Sequence, residues 1–386
     1  MSTQQPSSNK HRLSRPLQIT GFILLIIGSY IDSIRGPLLP LIVEHLSINY
    51  ETASRLLTIG NFSACIALIC MIPLVKKYGE VSFIRFSSIA IIGAGILSVY
   101  VNNTEGLYAF AALLGIGVGI FGVLSTIFVV KGTPIDKHGN MISGLQVMYG
   151  LSSMFAPLSV ALILRQSISW KYLFLLLIPL VVMFNLYISK NVKLPPEENK
   201  TVSSPKRFGL IELSLFITFC FYVVAEVACS MWMTPFLVDA HGLTVEIASY
   251  YTSLFFLLMM GSRLACFFFL NDKNLKIFLS LSLIIPLFTL SLGITTKAYW
   301  LLPISGLFGP FWPIFMAKVT RNFPEQWKSL TMWLIFGLQL SLLIMNYTVG
   351  KLSEITSMKN AYLVAPGFCM LTIISYLMLK YQKRDF

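Results

Sequence analysis

Twelve stretches of mainly apolar residues, each about twenty or more residues long, follow one another along this chain of 386 residues. A helix of roughly 20 such residues is long enough to cross the hydrocarbon of a bilayer. The runs lie near residues 17–43, 52–75, 82–101, 107–130, 140–164 and 170–189, and then 209–237, 247–270, 275–296, 298–320, 329–350 and 361–380. Membrane-barrel strands are about ten residues long and alternate in polarity, and these runs do neither. Hydrophobic residues make up 56% of the chain and charged residues 12%, against about 25% charge in soluble domains. The sequence therefore predicts an all-α polytopic membrane protein with twelve transmembrane helices. A soluble enzyme and a nucleic-acid binder are excluded. The run at 17–43 is too long for a signal-peptide core, and no small-residue cleavage site follows it.

The net charge of +13 has a cause other than nucleic acid. An even number of spans puts both termini on one face. Of the 29 Lys and Arg residues, 22 fall on that face, six fall on the other, and Arg35 lies inside the first run. Cytoplasmic loops of membrane proteins carry such an excess, so both termini are expected in the cytoplasm. Arg263, Lys318 and Arg321 are counted among the 22, as span-end residues that snorkel or latch the halves. The compact loops suggest a bacterial inner membrane.

The longest polar interruption runs from Lys190 to Gly209 and is rich in Pro, Ser and charge. It divides the chain into a tail (1–16), a six-helix bundle (17–189), a linker (190–208), a second six-helix bundle (209–380) and a short tail (381–386). The halves also resemble each other. Pro40-Leu-Ile-Val-Glu44, followed by Ile48, Glu51, Ala53 and Ser54, recurs 195 positions later as Pro235-Phe-Leu-Val-Asp239, followed by Leu243, Glu246, Ala248 and Ser249. Both segments join the first span of a half to its second. Two pseudo-symmetric bundles in the same orientation are expected, as in parallel transporter repeats.

Charges inside the membrane narrow the function. Asp32 and Arg35 in span 1 and Glu226 in span 7 sit well inside apolar runs. Each costs roughly 2.5–3.5 kcal/mol at a helix centre. Together, unpartnered, they would cost on the order of 8–10 kcal/mol, comparable to the whole stability of an ordinary fold. They must face protein or water. Asp32 and Arg35 share a helix face, so they either form a self-satisfying pair or serve transport, Asp32 by titrating and Arg35 by holding an anionic group. Glu226 has no basic residue within a turn of its own helix, so any partner comes from another span. It falls one position from the repeat of Asp32. Gly36-Pro37 loosens span 1 just past the pair, which would free a backbone carbonyl.

Weaker candidates for solute contact are Gln146 and Tyr149 in span 5, Trp232 in span 7, and Gln339 and Asn346 in span 11, where interhelical hydrogen bonding or packing is the plainer alternative. Glycines 115, 117, 119 and 122 fit close helix approach in span 4. Pro303, Pro310 and Pro313 predict a kinked span 10. The six cysteines read as small buried hydrophobes. His11, His45, His138 and His241 all flank spans, so a histidine proton relay is not expected. No phosphate-binding loop, metal cluster or catalytic constellation is legible, and the sequence predicts no cofactor, no metal and no enzymatic activity.

This organisation resembles the major facilitator superfamily from about Leu17 to Lys380. The family's loop between spans 2 and 3 is matched by Pro73-Leu-Val-Lys-Lys-Tyr-Gly79-Glu80, where Gly79 is kept and the acidic position is Lys76. The family's span 4 arginine corresponds to Ala111, ahead of Gly115-Ile-Gly117-Val-Gly119. The antiporter motif of span 5 is reduced to Ala156-Pro157. Gly36-Pro-Leu-Leu-Pro40, Gln146-Val-Met-Tyr149-Gly150, Tyr222-Val-Val-Ala-Glu226-Val-Ala-Cys-Ser-Met-Trp232, Tyr251-Thr-Ser-Leu-Phe-Phe and Gly261-Ser-Arg263 resemble the fucose-permease and sodium–glucose-type branch. The resemblance implies two halves rocking about a midplane site. The expectation is a monomeric secondary transporter for a small polar or anionic solute of the sugar or organic-acid class, in proton-coupled symport or with another coupling cation. Rivals are a carrier for a drug-like or siderophore-like compound, a facilitator without ion coupling, a non-transporting receptor or scaffold, and an intramembrane enzyme.

Overall fold

A computed structural model describes residues 14–134, 137–192, 209–269, 274–323 and 326–382. Most of the linker, both tail ends and several loop charges therefore lie outside the described residues. Every element among the described residues is helical. The first half contains α1 (Arg15–Leu46), α2 (Tyr50–Tyr78), α3 (Glu80–Tyr100), α4 (Thr104–Lys131), α5 (His138–Arg165) and α6 (Lys171–Asn191). The second contains α7 (Leu210–His241), α8 (Val245–Phe269), α9 (Leu275–Thr295), a 3₁₀ helix (Tyr299–Phe308), α10 (Phe311–Asn322), α11 (Trp327–Ile355), α12 (Met358–Tyr362) and α13 (Val364–Gln382). Twelve spans are long and apolar enough to cross a membrane; the tenth joins the 3₁₀ helix to α10 and the twelfth joins α12 to α13.

The broken tenth span has a local cause. Pro303 sits inside the 3₁₀ helix, and Gly309-Pro310 separates it from α10. Pro310 caps α10 and Pro313 lies in its first turn, where a proline's missing N–H costs nothing. The short gap ahead of this span, residues 296–298, is a tight turn. Asn49 and Asn103 accept backbone N–H groups at the starts of α2 and α4, an ordinary N-cap. Gly79 turns α2 into α3 at φ 75°, which L side chains rarely adopt.

The repeat is visible as geometry. α1 ends at Ser47 in the left-handed region (φ 51°), and α7 ends at Gly242 in the same region (φ 65°), 195 positions later. The halves meet where α1 lies on α7, α2 on α11 and α5 on α8. At the α1–α7 crossing, Gly36 lies against the backbone carbonyl of Met231, its own repeat mate. At the α2–α11 crossing, Gly350 lies against Ser54. Both crossings fall toward the face opposite the termini. There α1 is buried from Ser33 through Pro40, and α7 from Tyr222 to Leu237 except Val227. Association inside a bilayer rests on close packing rather than on the hydrophobic effect. Accordingly Gly115 of α4 lies on the backbone of Gly60 in α2, and Gly119 faces Ala64. Large apolar side chains such as Ile69, Ile72, Ile89, Leu180 and Phe268 are exposed on the outside of the bundle, where acyl chains solvate them.

Candidate functional site

A cavity of about 260 Å³ lies between the two halves. α1 gives it a helical stripe, Leu25, Gly28, Ser29, Asp32 and Arg35, at the three-to-four-residue spacing that keeps side chains on one face. α2 contributes Gly60, Asn61 and Ala64, and α4 contributes Gly115, Val118, Gly119 and Gly122. These small residues leave the open volume; beside Gly122 no heavy atom lies within 4 Å of where a Cβ would stand. From α5 come Gln146 and Tyr149, from α7 Val223, Glu226 and Val227, and from α8 Arg263. Trp312 of α10 and Leu338, Gln339 and Leu342 of α11 complete the wall.

Two ion pairs define its chemistry. In α1, Arg35 Nη2 donates to the Asp32 carboxylate, and its Nε donates to the Asp32 carbonyl at 3.3 Å. The Arg35 side chain is buried (4% exposed), whereas Asp32 keeps 28% of its side chain accessible. Across α7 and α8, Arg263 Nη2 donates to Glu226 Oε1 at 3.1 Å, with both side chains buried. Arg263 does more than neutralise Glu226. Its Nη1 donates to Gln146 Oε1 at 3.3 Å, its Nε to the Gly309 carbonyl at 3.3 Å, and its guanidinium lies 5.6 Å from the Tyr149 ring centre. Gln146 and Tyr149 belong to the first half, so this arginine ties the halves together at the cavity wall. A buried charge is tolerable when paired and hydrogen-bonded in this way.

The structure thus brings Asp32, Arg35, Glu226, Gln146, Tyr149 and Gln339 to one cavity. Trp232 and Asn346 do not line it. They are fully buried and bonded to each other, Trp232 Nε1 donating to Asn346 Oδ1 at 3.2 Å.

Of the two expectations for Arg263, snorkelling and latching the halves, the geometry fits the second: its side chain is 5% exposed, turns into the bundle and reaches Gln146 of the first half. The signal was present. Six residues follow it in α8, ending Phe267-Phe268-Phe269, which places it about 9 Å inside the helix end at 1.5 Å per residue. The buried carboxylate of Glu226 outcompetes a distant headgroup. Of the other two span-end cations, Lys318 Nζ lies 3.5 Å from the Tyr376 hydroxyl, within its own half, and Arg321 is exposed. Asn61, Ser29 and Trp312 were also missed. A lone amide, hydroxyl or indole in an apolar run does not reveal which face it occupies.

A family model for the Major Facilitator Superfamily matches residues 21–336. The chain is 28% identical over 195 residues to the solute carrier family 2 facilitated glucose transporter member 12 of Xenopus laevis, a match covering 47% of this chain and 32% of that protein. It is 28% identical over 142 residues to multidrug resistance protein 3 of Bacillus subtilis (strain 168), covering 36% and 28%. The chain therefore spans about a third of the length of the curated relatives it matches. Among solved structures, the D-xylose-proton symporter superposes with a TM-score of 0.72 at 13% identity, over 94% of this chain and 97% of that one.

Proposed function

The chain belongs to the Major Facilitator Superfamily, a multi-pass membrane transporter by its twelve spans, and on that premise we propose that it carries a small polar solute by alternating access, coupled to protons through Asp32. The single observation that carries this reading is the lining of the cavity: two acid–base pairs, one from each half, facing one space with Gln146, Tyr149, Gln339 and Trp312. Each guanidinium already has a carboxylate, so the site has no spare positive charge for an anion. Amides, hydroxyls and an indole suit an uncharged polyhydroxyl solute of the sugar class better than an organic acid. Asp32, the more accessible acid, is placed to exchange a proton with cavity water, and solute bound beside it would alter its pairing with Arg35. The bundles at 17–189 and 209–380 are the two rocking bodies, and the face closed by the α1–α7 and α2–α11 crossings is the one that must open. The Lys and Arg excess supports cytoplasmic termini, and compact loops a bacterial inner membrane. One chain supplies the whole site, which supports a monomer.

A second reading, transport of a drug-like compound, draws on the local likeness to a multidrug resistance protein. The cavity, about 260 Å³, lies below the roughly 300–1,000 Å³ of sites for drug-sized ligands, which favours the smaller solute. A receptor or scaffold would have no use for four ionisable groups at this depth.

The test is uptake in proteoliposomes over a panel of neutral sugars, nucleosides, organic acids, siderophores and lipophilic cations, with internal pH followed alongside. A neutral sugar entering with protons is the expected result. Solute-dependent proton flux that survives both Asp32→Asn and Glu226→Gln would reject the coupling reading.

A further inference from the structure

Beside the solute cavity lies a second, much smaller space of about 20 Å³, lined by Asp32, Ser33, Tyr149, Ser230 and Met231 among others. Resting on the transport reading above, we propose that this chamber holds one ordered water, and that this water hands the coupling proton to Asp32 from the face opposite the termini.

The size is that of a single molecule, since a water needs at least about 10–15 Å³ of such space and two to four polar partners. The partners are present: the Asp32 carboxylate and the hydroxyls of Ser33, Tyr149 and Ser230. One backbone oxygen adds to them. Proline has no N–H to give the carbonyl four residues before it. Pro37 therefore leaves the Ser33 carbonyl without its helical donor, and Ser33 borders the chamber. Pro235 does the same to the Met231 carbonyl, which packs against Gly36 instead. A water, with two hydrogens to donate, would serve the Ser33 carbonyl. A metal cation fits less well. Arg35 already neutralises Asp32, and a second positive charge would share the same carboxylate.

The placement gives the water a direction. The chamber takes Val227, Ser230 and Met231 from α7, whereas the solute cavity takes Val223, Glu226 and Val227. It is thus about one turn nearer the face opposite the termini. The close packing of Gly36 on the Met231 carbonyl lies on that side. Asp32 is the one acid that borders both spaces. The other charged or titratable groups around it are Arg35 on its own helix, Tyr149 of α5, Glu226 of α7 and Arg263 of α8. When the α1–α7 crossing opens, the chamber water gives one hydrogen to an Asp32 carboxylate oxygen and takes one proton from solvent on that face. The O–H bond of the water breaks as the carboxyl O–H forms, the water is regenerated, and the protein gains one proton. Asp32, now neutral, releases that proton to the solute cavity once the crossing has closed.

The test fills the chamber. Ser230→Val and, separately, Ser33→Val place methyl groups where the water sits, whereas Ser230→Ala leaves room for it. In reconstituted protein without solute, the infrared carboxyl band that Asp32→Asn removes should move to higher frequency in both valine variants and move by less in Ser230→Ala, which loses one partner of the water but keeps its space. With D-xylose and D-glucose as probes, proton movement per sugar should fall roughly tenfold or more in the valine variants, as for a lost proton-transfer partner. Sugar counterflow, which needs no net proton movement, should persist. A band and a coupling ratio unchanged in both valine variants would overturn the proposal. Wild-type net uptake of either sugar without proton movement would overturn the coupling reading and this inference with it. Wild-type coupling with only the valine variants unaffected would sink the water route alone.

Discussion

Asp32–Arg35 and Glu226–Arg263 stand at near-equivalent depths in the two halves, yet they are built differently. The first pair lies three residues apart on one helix, and its acid is open to the cavity. No rigid movement of the halves can separate its members. The second pair joins two helices, is buried on both sides, and reaches Gln146 and Tyr149 in the opposite half. Its geometry depends on how the halves sit. On the proposed reading the tasks are complementary: the self-contained pair would answer to protons and solute, and the cross-linked pair would hold the arrangement in which the cavity exists. The acids fall one position apart in the 195-residue repeat and the arginines lie on non-equivalent helices, so the two pairs are not repeat copies of each other.

The sharpest way to break this comparison is to remove one member from each pair. Arg263→Ala leaves Glu226 buried without its partner and cuts three contacts at once. It should cost about 3–5 kcal/mol, read as a large drop in thermal midpoint in detergent, with transport abolished. The double variant Glu226→Ala/Arg263→Ala should recover much of the stability and none of the transport. If Arg263→Ala melts no lower than Asp32→Asn, the asymmetry between the pairs is illusory.

Asp32→Asn should come next. Its accessible side chain and the remaining bond from Arg35 Nε to the backbone limit the loss to about 1.5–3 kcal/mol, the worth of a hydrogen bond to a charged group. Accumulation against a gradient should disappear while equilibrium exchange survives. Raising the pH on the proton-supplying side should likewise abolish accumulation by the wild type and leave the variant's exchange unchanged.

The two pairs also mark how far a sequence can be read. The spans and their division into two halves follow from run length and the 195-residue repeat, each of which integrates over many residues. Asp32 and Glu226 stood out because a lone acid in an apolar run is costly wherever the helix turns. The Asp32–Arg35 pairing was legible from spacing along one helix. Arg263 was not, because its role depends on which face of α8 meets α7, and that is set by packing across helices. Trp232 and Asn346 show the same limit from the other side. Their polarity marked them, but their bond to each other, with Trp232 fully buried, is invisible to spacing within either helix.

Two smaller perturbations sharpen the comparison further. A methyl at Gly60 would stand 2.7 Å from Arg35 Nη1. The guanidinium is the flexible end of its side chain, so Gly60→Ala should cost about 1 kcal/mol in stability, the low end for a small-to-large change. Displacing Arg35 within the cavity should instead raise the KM for solute several-fold with little change at the Glu226 pair. Least of all should come Trp232→Phe, which deletes one interhelical hydrogen bond worth on average about 0.6 kcal/mol in a membrane. Both partners lie off the cavity, so the thermal midpoint should fall slightly while the rank order of transported solutes stays that of the wild type. A changed solute preference in Trp232→Phe would mean that the site extends past the Asp32 level toward the closed face, and the division of labour between the two ion pairs would then have to be redrawn around a larger chamber.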